Sequence, residues 1–170
     1  MSDGTNFSDG ETMASLAAAG ATLIAVSSVF NGMGRFAWGS ISDKIGRMYT
    51  FRILLALQAV IFGLLILVHH PVVFSVLVCI VLLCYGGGFG VLPSLTKDMY
   101  GSKLMPSLYG AFLTAWSMGG IIGPQIVAFM KDNYAEKAGL FAFVVGGGLL
   151  IVGFFTSFLY RRKDVINLEN

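Results

Sequence analysis

The stretch FNGMGRFAWGSISDKIGR, residues 30–47, passes from the end of an apolar block into a short polar segment. Its first half completes a run that begins near Met13 and ends at Trp38, with Arg35 as the one charged residue inside it. Its second half gathers Asp43, Lys44 and Arg47 around Gly39 and Gly46. About 20 apolar residues, rising 1.5 Å each, carry a helix across roughly 30 Å of hydrocarbon. The stretch therefore reads as the end of a membrane span and the loop that follows it.

Working outward, four further blocks meet the same length test: about Tyr49 to Val68, Pro71 to Leu95, Leu104 to Met130 and Ala138 to Tyr160. Arg52 and Gln58 interrupt the first of these four, and Arg52 is close enough to the helix end to snorkel to the headgroups. Composition agrees. Of 170 residues 56% are hydrophobic and 12% charged, and the mean hydropathy is +0.79, whereas a soluble domain carries about 25% charged residues. The fold class read from the sequence is all-α: a polytopic membrane protein of about five transmembrane helices. Residues 1–11 form a polar stub, 12–160 the transmembrane domain and 161–170 a tail.

The expected loops are GSISDKIGRM, HHP, TKDMYGSK and KDNYAEKAG. Lys44, Arg47, Arg52, Lys97, Lys103, Arg161, Arg162 and Lys163 fall on one side, and only Lys131 and Lys137 on the other. The positive-inside rule places the richer side, and with it the C-terminus, in the cytoplasm of a multi-pass protein of the cell (inner or plasma) membrane. Five spans then put residues 1–11 outside. That stub is acidic, lacks the basic start of a signal peptide, and suits a loop between helices better than a true N-terminus. The expectation is a piece of something longer.

Several functions are disfavoured. The net charge of +2 and the absence of basic clusters interleaved with aromatics argue against nucleic acid. Cys79 and Cys84 lie in one apolar block and read as small buried residues. His69 and His70 sit in a turn with no Cys, Asp or Glu nearby, so no metal site or cofactor is expected. Neither a Ser/His/Asp set, an HExxH, paired carboxylates nor a phosphate loop adjoins a span, so the chain does not read as an enzyme.

The segment Gly39-Ser40-Ile41-Ser42-Asp43-Lys44-Ile45-Gly46-Arg47 resembles the loop pattern between the second and third helices of each half of the major facilitator superfamily. Its chemistry is intelligible. Asp43 can accept from a neighbouring helix N-terminus or pair with an arginine. Gly39 would admit close helix approach, and Gly46 a tight turn before Arg47. FNGMGRFAWGSISDKIGR, YGGGFGVLPSLTKDMYGSK (85–103) and YGAFLTAWSMGGIIGPQ (109–125) together resemble the oxalate/formate antiporter family, over about Glu11 to Arg162. The resemblance implies helices 8–12 of a twelve-helix carrier. It also implies seven preceding helices as partner, besides the lipid bilayer. The run from Gly119 through Gly123 to Pro124 resembles a glycine–proline motif of antiporters. Such a run serves either static packing through small residues or helices that rock.

The resemblance implicates Arg35 as a ligand for a small carboxylate substrate, since a guanidinium matches a carboxylate bidentately. The alternative is that Arg35 snorkels or pairs with Asp43. Asn31, one turn earlier on the same face, is the second candidate. Oxalate carriers of the family have a lysine where Trp116 stands here. With one cation, a monocarboxylate is favoured over oxalate, and Trp116 either lines the cavity or packs. The functional expectation is part of a secondary active transporter for small organic anions. It would work by alternating access, as anion exchanger or proton symporter. No Asp or Glu lies within a span, which favours exchange. The other reading is a membrane fragment that binds a partner without transporting.

Overall fold

The computed structural model describes residues 5–134 and 137–159, with side chains from Thr12 onward except Ala138. They form four helices: α1 Thr5–Ile45, α2 Arg47–Leu67, α3 Pro71–Asn133 and α4 Ala138–Leu159. All four are long and apolar enough to cross a membrane, and no strand occurs among the described residues. The C-terminal tail, 161–170, lies outside them.

The count of four differs from the five separate blocks expected, and the reason is local. Helix α3 has 63 residues, which as one rod would measure roughly 95 Å, about three hydrocarbon thicknesses. It is not one rod. Gly101, with φ 78 and ψ 168, is the non-helical residue inside it. Two arms, 71–100 and 102–133, meet at a residue whose positive φ only glycine adopts freely. The expected TKDMYGSK loop is thus a one-residue break. The expected GSISDKIGRM loop likewise shrinks to Gly46, with φ 97, because α1 stays helical through Ile45. At its other end α1 already starts at Thr5, inside the stretch read as a stub. In hydrocarbon and at its edge every peptide group seeks an internal partner, so helices extend until a residue forces them to stop.

The HHP connection behaves as read, whereas in KDNYAEKAG residues 131–133 continue α3 and 138–139 begin α4, with 135–136 outside the described residues. Val68, His69 and His70 leave the helix and Pro71 opens α3, where its missing N–H costs nothing. The Tyr134 N–H bonds to the Met130 carbonyl and closes α3. Pro93, Pro106 and Pro124 all sit within α3 at helical dihedrals. The break therefore comes at Gly101 and at none of the three prolines.

Packing follows the small residues. α1 lies against the first arm of α3, with backbone meeting backbone. A Cβ on Gly34 would overlap the Leu83 carbonyl, one on Gly86 the Asn31 carbonyl, and one on Gly90 would lie 2.8 Å from the Arg35 carbonyl oxygen. Gly39, expected to make this approach, has open space around its Cα. The crossing is centred one to two turns earlier on α1. Helix α2 runs beside α4, where Phe62 meets Phe143 edge-on at 5.8 Å and fills the notch at Gly146. The buried apolar core consists of Leu54, Ile61 and Leu65 of α2 with Cys79, Cys84, Val91 and Leu95 of α3. Buried hydroxyls are satisfied within their own helices: Thr50 donates to the Gly46 carbonyl at 3.1 Å, and Thr96 to that of Leu92 at 2.8 Å.

Candidate functional site: an arginine beside an aromatic cluster

Arg35 is the one cation deep in α1, and its backbone is held by contact with Gly90. Its guanidinium carbon lies 5.9 Å from the centre of the Phe89 ring. Phe89 in turn meets Tyr85 edge-on at 5.2 Å and Trp116 at 5.3 Å. The Trp116 indole N–H donates to the Tyr85 hydroxyl. Three helical segments, α1 and both arms of α3, so deliver one guanidinium and three rings to one place. Tyr85 and Phe89 share a face because they are four residues apart on a helix.

Arg35 makes no ion pair among the described residues. It does not pair with Asp43, which instead meets Arg47 at 3.5 Å. Its side chain is exposed on this chain, with a cation–π contact as its one interaction among the described residues. A guanidinium over a ring still has its N–H fork free for an anion. Asn31 lies one turn away against Gly86, and its side-chain oxygen is buried without a hydrogen-bond partner. The Trp38 indole N–H, two turns further along α1 and set against Gly87, is likewise buried without one. Behind the rings lies a cavity of about 300 Å³, lined by Tyr85, Phe89, Trp116, Gln58 and Cys84 among others. The Gln58 amide donates to the Val81 carbonyl at 3.4 Å.

The polar segment forms a second centre. Arg47 donates to Asp98 at 2.6 Å and to the Ser94 carbonyl at 3.2 Å, while its second amino group faces Asp43. Arg47 thus staples the start of α2 to the end of the first arm. Lys44 closes the last turn of α1, where a cation complements the helix dipole, and joins no ion pair among the described residues. Gly119 and Gly123 have open space around them and line a groove of about 340 Å³ between the second arm and α4. Neither they nor Pro124, the next residue after Gly123, lines the cavity beside the Arg35 cluster.

Phe89 and Asp98 do not stand out in the sequence as site residues. Phe89 carries a weak signal, the four-residue spacing from Tyr85. Asp98 carries another, an acid at the end of an apolar block on the arginine-rich side. Chemically the arrangement suits binding: a cation, apolar rings and one hydroxyl, with neither a nucleophile nor a base aligned with it.

Comparison with known proteins agrees with this architecture. The Major Facilitator Superfamily model matches residues 5–124. The oxalate:formate antiporter of Oxalobacter formigenes is 33% identical over 69% of this chain and 29% of its own length. Apicoplast pyruvate carrier 2 of Toxoplasma gondii is 28% identical over 78% of this chain and 20% of its own. Riboflavin transporter RibJ of Trypanosoma brucei brucei is 29% identical over 73% of this chain and 22% of its own. The chain thus spans less than a third of the length of each of these relatives. All three are named as transporters, and none as an enzyme. No solved structure matches. This multi-pass helical chain, whose 41-residue first helix and Gly101 break both fall in the matched region, belongs to the Major Facilitator Superfamily.

Proposed function

We propose that this chain is part of a secondary carrier that moves small monocarboxylates across a cell membrane by alternating access, with Arg35 holding the carboxylate. The observation that carries this reading is an intramembrane guanidinium with no acidic partner among the described residues, set beside Phe89, Tyr85 and Trp116. A cation at membrane depth is costly unless it meets an anion, and the three rings offer apolar walls to a small substrate. The position of the oxalate carriers' lysine is held by Trp116, whose N–H is engaged by Tyr85. One cation balances one carboxylate, so a monocarboxylate is favoured over a dianion. The names of the relatives, an oxalate:formate antiporter and a pyruvate carrier among them, support the substrate class.

In this reading the two arms of α3 are separate crossings, giving five spans with Gly101 at the turn. The arginine-rich end and the C-terminus face the cytoplasm. These spans work with seven preceding helices, and substrate binds between the two halves. Asn31 shares the Arg35 face. The acids Asp43, Asp98 and Asp132 sit at helix ends, which supports anion exchange over proton symport.

The test is uptake of labelled formate, pyruvate, lactate and oxalate into proteoliposomes holding the full-length protein with Arg35→Ala or Trp116→Lys. A charge-assisted hydrogen bond contributes about 1.5–3 kcal/mol, so Arg35→Ala is expected to weaken monocarboxylate uptake roughly 10- to 150-fold. Trp116→Lys is expected to admit the dianion. Uptake unaffected by Arg35→Ala would end the assignment.

A further inference from the structure

A cavity of about 660 Å³ lies at the arginine-rich end of the helices, lined by Arg47, Tyr49, Arg52, Leu95, Asp98 and Met99 among others. It is the one cavity among those described that is bounded by charged side chains. The two arginines differ in their electrostatic state. Arg47 is neutralised by Asp98 at 2.6 Å, with Asp43 nearby. Arg52 has no carboxylate partner among the described residues. Its Nε donates to the Ser157 hydroxyl at 3.3 Å, one terminal amino group donates to the Ser157 carbonyl at 2.8 Å, and its guanidinium carbon stands 4.2 Å from the Phe158 ring centre. These contacts fix the plane of the group without cancelling its charge. Three of its five N–H donors have no partner among these contacts.

We propose that this cavity binds the phosphate of an anionic phospholipid, with Arg52 as the principal ligand. A half-buried guanidinium one turn inside a membrane helix gains most from an anion that arrives with its own apolar chains. Met48 and Met99, both half-buried in the cavity lining, offer the apolar surface along which those chains lie. Tyr49, exposed and 6.0 Å from the Arg52 guanidinium, sits at the level where tyrosines meet headgroups. Basic pockets between membrane helices on the cytoplasmic side are known sites for anionic headgroups. The site lies at the opposite end of α2 from the His69–His70 turn and is independent of Arg35 and of the substrate assignment.

The experiment is native mass spectrometry of the full chain in detergent micelles, titrated in parallel with phosphatidylglycerol and phosphatidylcholine. One engaged cation contributes about five-fold in preference for the anionic lipid. The wild type is expected to show that preference, Arg52→Gln to lose it, and Arg52→Lys to keep most of it. Ser157→Ala, which removes one anchor of the guanidinium and leaves the charge, is expected to retain it. Equal uptake of the two lipids by the wild type, or an unchanged preference in Arg52→Gln, would overturn the proposal. So would a loss in Ser157→Ala as large as in Arg52→Gln, which would make Arg52 a packing group. Displacement of the lipid by inorganic phosphate at equal concentration would assign the cavity to a soluble anion instead.

Discussion

Replacing Gly86 by alanine tests the α1–α3 crossing on which the Arg35 site depends. The added methyl would fall 2.8 Å from the Asn31 carbonyl carbon and closer still to its oxygen, both backbone atoms. Ordinary contact begins near 3.4 Å. The helices must therefore part by more than half an ångström, since no rotamer change relieves a backbone clash. Overpacking of this kind costs about 1–3 kcal/mol. The alanine returns up to about 1 kcal/mol in helix propensity, so the net destabilisation is roughly 1–2 kcal/mol. Gly88, two residues along, is the internal control, because a Cβ there meets nothing within 4 Å. Gly88→Ala is expected to be neutral or to stabilise by a few tenths to about 1 kcal/mol. The assay is reversible unfolding of the chain in mixed micelles of rising denaturing-detergent content, followed by helical circular dichroism. Gly86→Ala should lower the midpoint and Gly88→Ala should leave it unchanged or raise it. A Gly86→Ala midpoint at or above that of the wild type would refute backbone-to-backbone packing at this crossing.

Two further outcomes follow from the same geometry. Gly101→Ala forces a side chain into a positive-φ conformation and should lower the stability by about 1–3 kcal/mol, whereas Gly120→Ala, with open space at a helical position, should not. Arg47→Ala combined with Asp98→Asn in a double-mutant cycle should give a coupling of about 0.5–1 kcal/mol, because Asp98 is 53% exposed in a pair only 2.6 Å long; a coupling indistinguishable from zero would remove the staple between α2 and the first arm.

Much of this architecture was legible without coordinates, and the residues show why. Hydrocarbon imposes a minimum length on any apolar run that crosses it, so the blocks beginning at Met13, Tyr49, Pro71, Leu104 and Ala138 announce themselves. The polar segments were harder to read. Polar residues signal the end of the hydrocarbon and say nothing about the end of the helix, so GSISDKIGRM and TKDMYGSK read as loops. In the fold each is helical but for one glycine, Gly46 or Gly101. The site divides in the same way. Arg35 stands out because a lone cation in an apolar run is rare, and Asn31 follows from helical spacing. Phe89 looks like any other apolar residue of its block, and Asp98 like any other loop acid.

The sequence by itself determined that the chain is helical and lives in a membrane, and through residues 30–47 it pointed to a family. These properties depend on transfer free energies and local spacing, which each segment carries alone. Only the tertiary structure decided which glycines are crossing points, Gly34, Gly86 and Gly90 and not Gly39. It also decided that Asp43 and Asp98 both serve Arg47, leaving Arg35 beside Phe89 and Arg52 against Ser157. Those outcomes turn on which backbone faces which across two helices, and on competition among several acids and cations for partners within about 4 Å. Neither is set by the order of residues along one chain segment.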